Sequence, residues 1–184
     1  MLFWLCLFSP ILFLINAIAL GIITPNYSNR TMAISQLVHG KFGYLQTVNF
    51  ILCGLLSLVL AIYVHRLNYA TVDKMLVTVG AITFGLCLVL VGLFPTDKIG
   101  ESTTVGKIHS IVFISSVLIQ GILQIIFALR HLTESMGIYL LVSGVITLVG
   151  LVLMSLTPNI RGIAQRSLVL AIALWITSAT LRLR

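Results

Sequence analysis

Acidic side chains are scarce in this chain: four in 184 residues, Asp73, Asp97, Glu101 and Glu134, all falling between apolar runs. A charge placed at the centre of a bilayer costs about 3 kcal/mol or more, so this distribution marks the runs as lipid-crossing segments. An acid inside a span is also what ion coupling would need. Its absence, with no internal repeat, argues against a small transporter. Cysteine is sparse as well. Cys6, Cys53 and Cys87 each lie within an apolar run without CxxC spacing, which excludes a local disulfide or metal framework and leaves them as small packing residues. There is no dense basic cluster either. The net charge of +7 comes from scattered lysines and arginines that anchor helix ends to headgroups, so no nucleic-acid partner is called for. Finally, no basic segment precedes the first apolar run. Ala17-Ile18-Ala19 resembles a signal-peptide cleavage site, yet without that segment Leu2 to Ile23 reads as a span and not a removable leader.

What the chain does contain is hydrocarbon. Hydrophobic residues make up 59% and charged residues 8%, and the mean hydropathy of +1.16 lies outside the range of soluble domains. A helix needs about 20 apolar residues to cross a bilayer. The pattern predicts an all-α, polytopic membrane protein: one six-transmembrane-helix bundle with spans at about 2–23, 44–64, 75–94, 108–129, 137–156 and 166–181. The connections are too short to form a soluble domain. Pro95 is expected to end the third span, and Ala81 with Gly85 makes a small-xxx-small pair where another helix can come close. The segment His65-Arg66-Leu67-Asn68-Tyr69 has the composition of an interface.

Six spans put both termini on one side. That side carries Arg66, Lys74, Arg130, Arg182 and Arg184, against Arg30, Lys41, Lys98, Lys107, Arg161 and Arg166 on the other, a balance that decides nothing by charge alone. The tight basic connections lie with the termini. The expectation is a multi-pass protein of the cell membrane with cytoplasmic termini.

Polar residues inside the spans need partners. Asn16 in the first is expected to hydrogen-bond to another helix. In the fourth, His109, Ser116, Gln120 and Gln124 recur at i, i+7, i+11 and i+15, on one face of a helix. That face reads either as a hydrogen-bonded seam or as the wall of a polar cavity opening at His109. In the long connection Thr24 to Phe42, Ile34, Leu37 and Val38 lie opposite Ser35, Gln36 and His39, which predicts a short amphipathic helix along the interface, a lid or an ordinary loop. Two sequons there, Asn26-Tyr27-Ser28 and Asn29-Arg30-Thr31, matter only in a eukaryotic secretory protein.

Ile34-Ser35-Gln36-Leu37, Asn49, Gly92-Leu93-Phe94-Pro95-Thr96-Asp97, Gly106-Lys107-Ile108-His109, and Gly162 with Gln165-Arg166 stand in this order along the chain. In this the sequence resembles the prokaryotic six-helix membrane family catalogued as "domain of unknown function 998", over most of its length. Val105 stands where that family often has a further histidine. More loosely, the arrangement is similar to six-helix eukaryotic membrane proteins connected with lipid remodelling and autophagy. The resemblance implies a fold and no activity.

The topology places Ser35, Gln36, His39, Asn49, Asp97, His109, Arg161 and Arg166 on the side opposite the termini, with Gln120 deeper along the His109 face. All of these but Gln36 are the candidate ligand-binding residues. Arginines suit a phosphate and the apolar bundle suits acyl chains, so the expected activity is binding of a lipid or amphiphile at a polar mouth, with membrane lipids as partners. Alternatives are a metal-dependent intramembrane hydrolase, with His39, His109 and Asp97 as ligands, and a structural subunit that meets a second copy or another membrane protein. In the last reading Asp97 pairs with Arg161 or Lys98. No catalytic residue is singled out and no cofactor is called for. Haem in particular would need His39 with His65 or His109 with His131, pairs separated by roughly 39 and 33 Å along helices.

Overall fold

The computed structural model describes residues 1–68 and 71–184; Tyr69, read above as part of an interface, lies outside them. Six helices, each long and apolar enough to cross a membrane, make up the bundle. They are α1 (Leu2–Ile23), α2 (Gly43–His65), α3 (Thr71–Leu93), α4 (Thr104–Arg130), α5 (Ser135–Leu156) and α6 (Arg161–Leu183). Helices adjacent in sequence pack side by side, and α6 closes the ring by packing on α1 while also touching α3. α1 belongs to this bundle: Thr177 of α6 donates to the Leu7 carbonyl, and the Ser9 and Ser57 hydroxyls meet at 3.3 Å.

Several helices outrun their apolar stretches. α4 begins at Thr104 and not near residue 108, and α6 begins at Arg161 and not at 166. Hydropathy marks where hydrocarbon ends, whereas a helix continues until its last amides and carbonyls find other partners. Pro158 opens a 3-10 turn that leads directly into α6, so Arg161, Gly162 and Arg166 belong to that helix and not to a loop.

The least apolar helix is the most buried. α6 has a mean hydropathy of 1.4 in its span, against 2.3 to 2.5 for the others, yet 67% of that span is inside the protein. Lipid demands apolar side chains only where it touches them, and a helix enclosed by its neighbours escapes that demand. Trp175 on α6 is fully buried against Gly80 of α3, where a Cβ would collide with its ring.

Gly85 meets Gly54 of α2, and a Cβ added to either would lie 2.8 Å from the other's carbonyl oxygen. Gly85, one half of the small-residue pair in α3, is therefore a point of close approach to α2. The polar face of α4 points inward, with His109, Ser116, Gln120 and Gln124 all buried. Ser116 donates to the Thr83 carbonyl and Gln120 to the Gly80 carbonyl on α3, while Gln124 donates to Thr147 on α5. Asn16 donates to Asn49 at 3.2 Å, and Asn49 donates to the Phe13 carbonyl, so these two amides join α1 to α2.

Candidate functional site

The end opposite the termini is built from three connections. Thr103 caps α4: its hydroxyl accepts from the Gly106 amide at 3.1 Å and donates to Asp97 at 2.5 Å, while its own amide donates to the other Asp97 oxygen at 3.0 Å. A Cβ at position 106 would run into the Asp97 carboxylate. The Pro-Thr-Asp stretch and the glycine nine residues after Asp97 are thus two halves of one helix-start device. Bonds from Thr103 hold the Asp97 carboxyl below the usual carboxylate range. Asp97 hydrogen-bonds neither Arg161 nor Lys98.

The first connection is pinned rather than slack. Its centre is a 3-10 helix, Ile34–His39. At three residues per turn Ile34 and Leu37 align, and both are 1% exposed, inserted into the bundle rather than lying along an interface. Ser35, expected on the solvent side, is buried as well. The Ile34 amide donates to Gln165 Oε1 at 2.6 Å. Arg166 donates to the Met32 and Gly162 carbonyls, the Tyr27 hydroxyl and Asn29 Oδ1. His39 is exposed, and its Nε2 donates to the Thr96 carbonyl at 2.7 Å, tying this connection to the next.

His109 stands one and a half turns into α4 and is 6% exposed. Its Nδ1 lies 2.8 Å from the Phe94 carbonyl, which Pro95 leaves at the end of α3. A carbonyl can only accept, so Nδ1 carries the proton. The Val91 carbonyl, nearly one turn earlier in α3, also bonds to the ring. His109 borders two cavities. One, of about 30 Å³, is mostly apolar, lying between Phe50, Phe84, Leu168 and Ile172. The other, of about 230 Å³, opens outward between the first connection, α4, the end of α5 and the start of α6. Ser35, His109, Phe113 and Gln165 line both.

In the larger cavity these residues are joined by Gln36, Thr96, Ser110, Ser155 and Arg161, and by Ile114 and Met154. Arg161 donates from Nε to the Met154 carbonyl at 3.2 Å. That bond fixes the guanidinium and leaves its two terminal amino groups without a partner among the described residues. No acidic residue lines this cavity.

Of the residues singled out from sequence, Ser35, His109 and Arg161 share this cavity. Asp97, His39 and Arg166 are engaged in the clamps around it. Asn49 borders a different, apolar groove between α1 and α2, and Gln120 is fully buried in the α3–α4 seam. Among the described residues no three His, Cys, Asp or Glu side chains are grouped to hold a metal ion, so the ligand set His39, His109 and Asp97 is not assembled. Gln165 and Phe113 were not among the candidate residues read from sequence, and Gln36 was placed on this side of the membrane without being counted as ligand-binding. Gln165 could have been found, because Arg161, Gln165, Leu168 and Ile172 fall on one face of a helix that begins at Arg161.

His131 joins an ion-pair network at the termini's end. Asp73, 3% exposed, accepts from Arg130 at 2.7 Å and from His131 at 3.0 Å. Arg182 grips Glu134 with both terminal amino groups and also reaches His131 Nδ1. The bonds from Arg182 hold the Glu134 carboxyl low. This network joins the ends of α3, α4, α5 and α6, helices whose charged termini are far apart in sequence.

A family model described as "Protein of unknown function (DUF998)" matches residues 7–182. Neither a curated protein nor a solved structure matches the chain.

Proposed function

The chain belongs to the DUF998 family, which carries no assigned activity, and from that premise we propose that the protein binds the head of a lipid or other amphiphile. The binding site is the cavity of about 230 Å³ at the end opposite the termini. One observation carries this reading: the cavity is polar at one wall and apolar at another that reaches the outer surface of the bundle. Arg161, Ser35, Gln36 and Gln165 supply hydrogen-bonding groups, whereas Phe113, Met154 and Ile114, the last 41% exposed, carry it to the outer surface of α4. Pockets for whole drug-sized ligands run to about 300–1,000 Å³, so this volume suits a headgroup whose chains stay in the bilayer. The same reading places the protein in the cell membrane with cytoplasmic termini, because the tight basic connections lie at that end.

Native mass spectrometry of the purified protein tests it. Retained lipid should fall sharply in Arg161→Ala and in Ile114→Trp, which fills the side opening, and stay unchanged in Gln120→Met. Equal retention in all four proteins would remove the proposal.

A further inference from the structure

We propose that the protein forms a twofold-symmetric dimer in the membrane, α1 against α1, with Asn16 of each copy hydrogen-bonded to Asn16 of the other. Asn16 lies seven residues before the end of α1, about 10 Å along the helix from that end. It is exposed there, bordering a groove of about 340 Å³ between α1 and α2. Its partner Asn49 lies six residues beyond the start of α2, the matching depth on an antiparallel neighbour. A side-chain amide has two N–H donors and an oxygen that accepts. One N–H of Asn16 goes to Asn49 at 3.2 Å, and the side chain makes no other hydrogen bond among the described residues. One donor and one acceptor are thus left over at a depth where hydrocarbon satisfies neither.

Hydrogen-bonding complementarity identifies the occupant. Acyl chains carry no polar group at this depth, and lipid ester carbonyls, nearer the membrane surface, only accept. Asparagine is also too short to reach the headgroups as lysine and arginine do. A second copy supplies donor and acceptor together. A twofold axis along the membrane normal brings the same residue to the same depth, and two amides related by that axis exchange a pair of N–H···O bonds. An unrelated protein would need a matching amide at that level, which the second copy has by symmetry. The surrounding surface suits such packing: Leu5, Leu12, Asn16, Ala19 and Ile23 fall on one strip of α1, and all are exposed. Ala19, one turn from Asn16, is the small residue that lets a second helix come close. In the ring of helices α3 on one side and α5 and α6 on the other separate α4 from this face. The dimer therefore leaves Ile114 and the lipid cavity open to the bilayer, and it does not rest on that site.

Energy transfer between donor- and acceptor-labelled protein in phosphatidylcholine vesicles, followed as added lipid dilutes the protein, measures association. Asn16→Leu should require about 5- to 10-fold more protein per lipid for half-association, the effect of two interhelical hydrogen bonds of average strength. Asn16→Gln, which keeps the amide, should recover part of the loss. Asn49→Leu removes only the internal partner and should leave association at least as strong; a loss equal to that of Asn16→Leu would assign the effect to packing within one protomer and overturn the contact. Ala19→Trp should abolish association and Ile111→Trp, on α4, leave it unchanged, with gel filtration checking that each variant stays folded. The occupant is identified by photo-crosslinking from p-benzoylphenylalanine in place of Ile23, which is 56% exposed. The expected product has twice the mass of the chain and is joined through α1. Adducts with lipid alone or with a different protein would overturn the proposal, as would a parent protein that is monomeric at every dilution or association indifferent to Asn16→Leu.

Discussion

Replacing Gln120 by methionine should leave the bundle as stable as before or slightly more so, although Gln120 is fully buried and hydrogen-bonded. Its Nε2 donates to the Gly80 carbonyl at 2.6 Å and to the Thr83 hydroxyl at 2.9 Å. Neither partner is stranded by the change: Gly80 O keeps its helical amide, and the Thr83 hydroxyl keeps the carbonyls of Val79 and Gly80. Hydrogen bonds between membrane helices average about 0.6 kcal/mol, so the loss is roughly 1.2 kcal/mol. Gln120 Oε1, however, is buried with no protein partner, and removing such an acceptor returns about 1–3 kcal/mol. The sum lies between no change and a gain of ~2 kcal/mol. Gln124, one turn further along the same face, is the control. It also makes two side-chain bonds, to Ser143 and Thr147, but both ends of its amide are satisfied. Gln124→Met should therefore cost ~1 kcal/mol with nothing to offset it. Reversible unfolding in mixed micelles measures both variants against the parent. If Gln120→Met proves the more damaging of the two, the view of this face as a seam, with its ligand-facing part confined to His109, is wrong.

Other consequences can be checked separately. Arg166→Ala removes every side-chain bond that ties α6 to Tyr27, Asn29 and Met32, so amide exchange across residues 24–33 should speed up by at least tenfold while α2 and α3 stay protected. Gly106→Ala pushes a methyl into the Asp97 carboxylate. It should speed exchange in the first turn of α4 and loosen the 94–103 connection, and an unchanged exchange pattern would refute the helix-start device. Glu134 has its folded pKa lowered by Arg182, so its contribution to stability is complete above the unfolded value of about 4.3 and is lost as pH falls through the lower folded one. Glu134→Gln should flatten the stability profile over that acidic window and lower stability by a constant amount at neutral pH and above; an acid-side slope that persists would assign it to another group.

How much of this was legible depended on the range of the interaction. The six spans were readable because lipid imposes its demand residue by residue, and the inward face of α4 because helical period alone aligns His109 with Gln124. Helix starts were less so. Thr104 and Arg161 lie beyond the apolar runs, and only the Thr103 cap and the Pro158 turn reveal them. Ser35 was read onto the solvent side because period describes one helix alone, whereas the first connection is set in among α4 and α6 and has more than one face covered. Asp73, His131, Glu134 and Arg182 found one another across four helices, a pairing that no local pattern contains. Asp97 and His109 were both singled out from sequence, yet the groups that hold them are Thr103 and the Phe94 carbonyl, and backbone partners leave little trace in side-chain composition.

The central claim is that the cavity around Arg161 and His109 holds the head of an amphiphile. Photo-crosslinking tests it most directly, using phosphatidylglycerol with a photoreactive group beside the phosphate and mapping the adducts by peptide mass spectrometry. The account predicts adducts in residues 105–115 of α4 and 153–165 at the α5–α6 turn, abolished by Arg161→Ala. Adducts confined to the groove between α1 and α2, or spread evenly over the lipid-facing helices and unaffected by Arg161→Ala, would contradict it.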